Sequence, residues 1–397
     1  MNTPVGATKV GIEDIAFATG SYCIDLDSIA PRHGVDPAKY HKGLGQDQMS
    51  VVGVDEDPVT MAAAAAKKII DRHGVDGIRT VMFATETSID QSKAAGVYVH
   101  ELVGLPAHVR TVELKQACYS GTAALQFATA LVARDPQEKV LVVASDIARY
   151  DLDSPAEPTQ GAGAVAMLIT ANPSIIELDP VSGVFTKDIM DFWRPNFRSQ
   201  AIVDGKLSIG AYIDAAKGAY DDYANRGGTH FSEIDFFCYH QPFTKMAVKA
   251  HNGIAQQLDV ELTPEQVTDQ LEATTGYNRR IGNSYTASTY FGLLSLLDTS
   301  EQLEGKKVAL VSYGSGSVAE FWTGTVVAGY QKHLRAEENQ HELDARIKLD
   351  DDTYYRLQQI HHEDPYEYSN LAENALVGTG PFSWTGVSGG KRLYQSR

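Results

Sequence analysis

The sequence predicts an α/β protein made of two similar halves that share one cleft. Three observations carry this reading. Short β-rich runs alternate with longer stretches of small, helix-forming residues along 80–170. The same order of elements returns along 234–327. The string G-x-G-x-x-A stands at the same point of each half, as GAGAVA from Gly161 and as GSGSVA from Gly314.

In the first half, TVMFATETS (80–88) reads as a strand running into a loop, followed by a helix in SKAAGVYVHELVG. VRTVELKQA (109–117) is a second strand, and after a turn the helix GTAALQFATALVARD follows. KVLVVASDIARY (139–150) is a third strand, and GAGAVAMLIT (161–170) a fourth, reached through the turn-rich DSPAEPTQ. In the second half, IDFFCYHQP (234–242) is strand and loop, TKMAVKAHNGIAQQL is a helix, and IGNSYTASTYFGLLSLLD (281–298) is loop and helix. KKVALVSYG and SVAEFWTGTVV (306–327) are two adjacent strands. Laid over each other, the halves set His240 154 residues after Glu86, Asn283 165 after Cys118, and Gly314 153 after Gly161. The expected division is 1–172 and 173–397, with an inserted region near 175–232. After about 331 the chain turns charged and partly helical, then loop or β, which reads as a packing appendage.

Composition narrows the function classes. Of 397 residues, 34 are Lys or Arg and 51 Asp or Glu, a formal charge of −17, and no basic block exceeds two residues. A surface that tracks nucleic acid needs clustered cations, so that class is set aside. The first residues lack a basic segment followed by an apolar one, and no run of about 18 apolar residues occurs, so neither a signal peptide nor a membrane span is expected. Cys23, Cys118 and Cys238 are too few and too scattered for a disulfide framework or a CxxC metal site. The expectation is a reduced, cytoplasmic protein.

G-x-G-x-x-A is also a dinucleotide fingerprint, but that needs a strand before the glycines and a helix after them. Here a turn precedes Gly161 and strand-like residues follow both sites, so the glycines read as tight turns beside something bulky. His361 and His362 beside Glu363 and Asp364 suggest a metal only at first sight, since adjacent side chains diverge and no second ligand cluster has suitable spacing. No metal is expected.

Cys118 joins a strand to the small-residue helix CYSGTAALQFATA. Unpaired N–H groups and the positive helix end there favour a thiolate and an oxyanion on an acyl-cysteine; a buried, inert thiol is the other reading. Glu86 ends the strand TVMFAT, where a carboxylate can be a general acid/base or a solvated loop residue. His240 ends the matching strand of the second half, as an acid or electrophile or as a satisfied core histidine. Duplication strengthens the reactive readings, because equivalent strand ends of both halves converge on one cleft and bring Cys118, Glu86, His240 and Asn283 together. Cys23 and Cys238 lack the strand-to-helix junction and read as structural.

The ordered segments GLGQDQMSV, TETSIDQSKAA, QACYSGTAALQ, LVVASDIARY, EPTQGAGAVAML, DIMDFWRP, HQPFTKM, GNSYTAS and SYGSGSVAEF resemble the hydroxymethylglutaryl-CoA synthases of the bacterial mevalonate pathway, in the thiolase-fold superfamily. The resemblance runs to about Tyr330. It implies an αβαβα five-layer fold with two pseudo-symmetric halves, and condensation of acetyl-CoA with acetoacetyl-CoA without a cofactor. It further implies Cys118 as nucleophile, Glu86 as general acid/base, and His240 polarising the acetoacetyl group beside Asn283. By the same resemblance Tyr150 and Tyr119 border the acyl pocket, Asp146 and Asp191 order it, and Ser315 offers a backbone donor. Thr159, Tyr212, Lys245 and Lys249 then line the CoA tunnel, Arg32 meets its phosphates, and the protein is a homodimer. Gln116, two residues before Cys118, departs from the glutamate that bacterial relatives often carry; losing that carboxylate should favour the thiolate. Two rivals share the fold: a polyketide β-branching synthase acting on carrier-bound acetoacetyl groups, and a non-catalytic CoA-binding scaffold. A fatty-acid ketoacyl synthase would use Cys, His and Asn but has no need of Glu86.

Overall fold

A computed structural model describes residues 8–198, 200–360, 366–369 and 376–397. His361, His362, Glu363 and Asp364 lie outside these residues. The first half runs β1 (Val10–Thr19), α1 (Pro58–His73), β2 (Ile78–Ala84), α2 (Ala95–Leu102), β3 (Arg110–Leu114), α3 (Ser120–Arg134), β4 (Lys139–Ile147) and β5 (Ala162–Ala171). The second runs β6 (Ile176–Thr186), α4 (Gly205–Asn225), β7 (Phe236–Tyr239), α5 (Lys245–Gln257), α6 (Ser288–Thr299), β8 (Lys307–Gly314) and β9 (Val318–Val326).

The strands join in the order β7-β8-β9-β6-β1-β5-β4-β2-β3. Read outward from the centre, β1-β5-β4-β2 and β6-β9-β8-β7 are the same arrangement, so the duplication is a property of the fold. The halves touch through a short antiparallel pairing, Gly11 with Glu177 and Ile12 with Ile176. Only β3, parallel to β2 at the free edge, has no counterpart among the described residues.

Alternation along the strands builds five layers. Successive side chains point to opposite faces, so a strand buried on both sides needs apolar residues throughout. In β4, Val140, Val142 and Ala144 face one core, while Leu141 and Val143 face another. The first core is the middle layer, where α3 and α6 lie between the sheets of the two halves. The second packs α1 and α2 on the outside of the first half, and a third packs α4 and α5 on the outside of the second. Helix α1 suits its place: five consecutive alanines, Ala62–Ala66, let it lie close to the sheet, and Asp57 closes a capping box with Thr60.

Residues 175–232, expected as an insertion, instead contain β6 and α4, the second half's own first strand and outer helix. They stand where β1 and α1 stand in the first half. Beyond Tyr330, helices α7 (Ala336–Ala345) and α8 (Asp351–Gln358) and a hairpin of β10 (Phe382–Ser388) with β11 (Lys391–Ser396) wrap the first half. Arg335 pairs with the buried Asp14 of β1, and Arg392 and Arg397 pair with Asp57 and Asp55 ahead of α1. No helix of the described residues is long and apolar enough to cross a membrane.

Candidate active site

Cys118 stands between the end of β3 and the start of α3. The residue before it, Ala117, has φ +45°, a left-handed conformation that costs an alanine on the order of 1–3 kcal/mol. The loop before α6 has the same form, with Tyr285 at φ +46° three residues before the helix, as Ala117 is before α3. Each loop is braced by the glycine string of the other half. A Cβ on Gly314 would meet the Gln116 carbonyl oxygen at 2.5 Å and Tyr119 at 2.7 Å, and one on Gly161 would meet the carbonyls of Ile281 and Asn283 at 2.5 and 2.7 Å. These two glycines therefore serve close approach between halves, and the tight turn that the sequence suggests is made in the second string at Gly316, φ +118° between β8 and β9.

The loops open onto a cavity of about 530 Å³. Cys118, His240, Asn283, Tyr150, Ser315, Thr159 and Tyr212 all line it, together with Phe192, Tyr285 and Tyr313. Glu86 is not on the wall. It lies behind the nucleophile candidate, where its Oε2 accepts the Cys118 thiol at 3.7 Å. Both are buried, Cys118 at 9% exposure and Glu86 at 8%, and His240 at 2%. Two buried polar atoms of this group have no protein partner, Glu86 Oε1 and His240 Nδ1, while the Tyr285 hydroxyl meets that of Tyr150. Buried polar atoms are nearly always paired in native proteins, so atoms left open beside a cavity are suited to groups of a ligand.

Asp146 organises the Glu86 side. Fully buried at the end of β4, it accepts from Thr85 Oγ1 at 2.7 Å, from the backbone of Glu86 and Thr87 at 2.9 and 3.0 Å, and from the backbone of Thr286 at 3.0 Å. One carboxylate thus ties the loop after β2 to the start of α6. Asp191 does the same for the opposite wall, accepting from Tyr313 Oη at 2.7 Å, Ser208 Oγ at 3.1 Å and Gly316 N at 2.9 Å. Asn283 donates to Tyr150 Oη at 3.4 Å and holds the Tyr285 backbone at 2.9 Å.

Burial governs the titration of this group. The Glu86 carboxyl is pushed up to about 8, by burial first and by the Asp146 charge second, while Arg194 pulls it down. His240 is pulled down to about 3 by burial, so its ring is neutral at pH 7. Cys118 goes well up, through burial and then the Glu86 and Asp146 charges, with only its own backbone N–H opposing. The helix-end stabilisation expected for a thiolate is therefore outweighed, and the resting sulfur is a thiol.

Several expected positions fall elsewhere. Tyr119 does not border the cavity; its hydroxyl donates to Glu320 at 2.8 Å, on the side facing the second half. Arg32 has no freedom to meet phosphates, because its guanidinium is shared among Asp351, Glu157 and Asp153. Lys245 and Lys249 do not line the cavity. They are exposed on α5, around the lining residue Met246, and the Lys249 ammonium lies 5.5 Å from the ring of lining Phe243. Among the described residues one group, His33, Asp153 and Glu157, brings three atoms of metal-binding kind together, and both carboxylates are already paired with Arg32. Glu320, Tyr285 and Thr286 carry no separate signal, although all three lie inside the segments GNSYTAS and SYGSGSVAEF.

The N-terminal model of hydroxymethylglutaryl-coenzyme A synthase matches residues 7–174, and the C-terminal model matches 176–257 and 252–375. The chain belongs to this family. The match passes Tyr330, so most of the tail that looked foreign is shared. A hydroxymethylglutaryl-CoA synthase of Enterococcus faecalis is 46% identical over 86% of this chain and 89% of its own length. A polyketide-biosynthesis 3-hydroxy-3-methylglutaryl-ACP synthase of Bacillus subtilis is 32% identical over 88% of each chain. A crystal structure of HMG-CoA synthase complexed with CoA superposes with a TM-score of 0.92 at 38% identity, over 98% of this chain and all of that one. The fold is that of the thiolase-like hydroxymethylglutaryl-CoA synthases, and the protein is an enzyme of that type, condensing an acetyl-CoA unit to give hydroxymethylglutaryl-CoA.

Proposed function

We propose that Cys118, Glu86 and His240 carry this condensation, with free acetoacetyl-CoA as acceptor. The observation that carries the reading is the thiol of Cys118, on the cavity wall, backed by a buried carboxyl whose affinity for a proton is near that of the medium. In the first step Cys118 Sγ attacks the acetyl carbonyl, the bond to the CoA sulfur breaks, and the thiol proton ends on the departing CoA. An acetyl on Sγ then lies next to Glu86, 3.7 Å from the sulfur. After acetoacetyl-CoA enters, ionised Glu86 takes a proton from the acetyl methyl. The new carbon–carbon bond forms at the acceptor ketone, and Glu86 returns its proton to the resulting alkoxide. Water cleaves the remaining cysteine thioester and frees the product carboxylate. Attachment to Cys118 makes the bond-forming step intramolecular, worth up to about 7–11 kcal/mol of barrier when the geometry is right.

Neutral His240 and Asn283 suit hydrogen bonding to the acceptor carbonyl, since neither carries charge at pH 7. Apolar and hydroxyl-bearing walls, from Phe192, Tyr212 and Thr159, suit the pantetheine arm, and exposed Lys245 and Lys249 beyond them suit an anionic nucleotide. A carrier protein is acidic and needs a basic dock, for which a chain of −17 is a poor match; the higher identity to the CoA-type relative points the same way. The test is loss of acetoacetyl-CoA on adding acetyl-CoA, run beside a carrier-bound acceptor, with labelled acetyl mapped onto the protein. Label on Cys118, its loss in Cys118→Ser, and preference for free CoA are expected. An unlabelled Cys118 would overturn the mechanism, and preference for the carrier would overturn the acceptor.

We also propose that the enzyme is a cytoplasmic homodimer. The free sheet edge β3 exposes Val112, and α3 after it exposes Phe127, as a pairing surface would. A solution mass of one chain would refute the dimer.

A further inference from the structure

Glu320 is a carboxyl where the fold calls for a hydrocarbon. On β9, Ala319 and Phe321 face the outer core of the second half, while Trp322 faces the middle layer, so Glu320 faces the middle layer as well. By strand register, Val184 opposite Glu320 stands where Thr19 opposite Gly163 stands, and Gln126 stands where Phe291 stands, so the equivalent residue of the first half is Gly163, against which the Phe291 ring packs. Glu320 is 2% exposed. Taking a carboxyl out of water is unfavourable unless its oxygens find donors, and here they do so on a single helix. Oε2 accepts from Tyr119 Oη at 2.8 Å and Oε1 from Gln126 Nε2 at 2.5 Å. Tyr119 directly follows Cys118, and Gln126 lies seven residues on, two turns along the same face of α3. The Ser182 side chain of β6 adds a further hydrogen bond.

The other flank of Cys118 is held from the same hairpin. Gln116 Nε2 donates to the Ser315 carbonyl at 3.1 Å, and Gly314 lies flush against Gln116 and Tyr119. The residue two before the cysteine and the one after it are thus both anchored to the β8–β9 hairpin of the opposite half.

We propose that Glu320 is a positioning residue for the nucleophile: through Tyr119 it fixes the first turn of α3 and with it the direction of Cys118 Sγ. The inference rests on Cys118 being the acetylated residue. Tyr119, which the sequence places in the acyl pocket, acts in this account from behind the nucleophile. The polar contact occurs in only one half because only the first half presents a residue that must be aimed at a carbonyl carbon.

A hydrocarbon at this place supplies the decisive variant. Glu320→Met replaces the carboxyl by an apolar chain of similar length that suits the surrounding middle core, so a merely structural role predicts a stable and fully active enzyme. Positioning predicts a melting temperature within a few degrees of wild type, with acetylation of Cys118 slowed roughly ten- to a hundredfold, the usual consequence of a small misplacement of a reacting atom. The KM for acetoacetyl-CoA should stay within about twofold of wild type, since that substrate binds later and elsewhere. Tyr119→Phe, which removes only the hydroxyl, should reproduce the loss, and the double variant should be no worse than either single one, as expected for one shared contact. Glu320→Gln keeps an acceptor for Tyr119 and should restore most of the rate. Wild-type acetylation rates in both Glu320→Met and Tyr119→Phe would overturn the proposal, and Tyr119→Phe decides alone if Glu320→Met does not fold. If the unmodified enzyme takes no acetyl on Cys118, it is the nucleophile assignment that fails.

Discussion

The two halves have the same strand order and bury their key residues equally, yet the proposed mechanism gives them different chemistry. At the ends of the matching strands β2 and β7 stand Glu86 and His240. Burial disfavours charge at both, so it raises the acid to about 8 and lowers the base to about 3. One physical cause leaves both groups largely neutral at pH 7, but with unequal uses. Glu86 titrates close to the working pH and can take a proton and return it. His240 cannot be protonated there and is left with hydrogen bonding. The loops before the two central helices share one strain, Ala117 at φ +45° and Tyr285 at φ +46° each three residues before its helix, and differ in the side chain they present, a thiol in one and an amide in the other. In the proposed mechanism, proton and acyl transfer are lodged in the first half, and recognition of the acceptor in the second.

The largest effect follows from exchanging these roles for nothing. Glu86→Ala should cut condensation on the order of 10²- to 10⁴-fold, the range for removing a general acid/base. Acetyl transfer should persist, because the Glu86 charge is one of the causes that raise the Cys118 thiol. His240→Ala should also leave acetylation intact, while the KM for acetoacetyl-CoA rises. Single-turnover acetylation measured beside steady-state condensation separates the two. Equal loss of both steps in Glu86→Ala would show that the carboxylate serves the nucleophile, and the division between halves would collapse.

What the sequence makes legible is local. Strands β4 and β5 and helices α3 and α5 are readable because apolar periodicity and small residues are contiguous in the chain, and the repeated glycine string signals that the halves correspond, though the strand register, not the string, sets which residues match. Strand β1 is obscured by Glu13 and Asp14 in its middle; Asp14 is buried because Arg335, 321 residues away, pairs with it together with Arg72 and His73 at the end of α1. For the same reason Arg32 reads as free for a phosphate, although carboxylates at 153, 157 and 351 claim it. Tyr119 is adjacent to Cys118 in the chain, yet the cavity lies on one side of the helix start and Glu320 on the other. The thiol's titration is equally nonlocal: the helix end is visible in the sequence, whereas the burial and the two carboxylates that outweigh it are not.

The glycine pair offers an intermediate effect with a built-in control. Gly314→Ala forces a methyl group against the Gln116 carbonyl and Tyr119, and Gly161→Ala forces one against the carbonyls of Ile281 and Asn283. Neither backbone can retreat cheaply, so each variant should lose about 1–3 kcal/mol of stability. The catalytic losses should diverge. Gly314→Ala displaces the nucleophile loop and should slow acetylation by up to about a hundredfold, while Gly161→Ala displaces the Asn283 loop and should slow condensation instead. Thermal melts and the two rate measurements test this, and identical profiles would mean that the loops move as one body.

The smallest effect is the most direct test of where the proton resides. If ionised Glu86 is the base, condensation should rise with pH through about 8 and level off above it, and the same limb should be absent from acetoacetyl-CoA binding. Stability runs the other way. The folded state keeps this proton between roughly pH 4.5 and 8 while the unfolded chain loses it, so the contribution of Glu86 to stability declines across that window. The two halves bias the limb in opposite directions, because Asp146 on β4 raises the Glu86 carboxyl and Arg194, after β6, lowers it. Asp146→Asn should therefore move the limb below 8, with a lower plateau because a hub of hydrogen bonds is weakened. Arg194→Met should move it above 8 with the plateau unchanged. Each shift should alter the rate at pH 7 by no more than about tenfold, the ratio carried by one pH unit. pH–rate profiles of the two variants that shift in the same direction, or not at all, would place the titrating group somewhere other than Glu86.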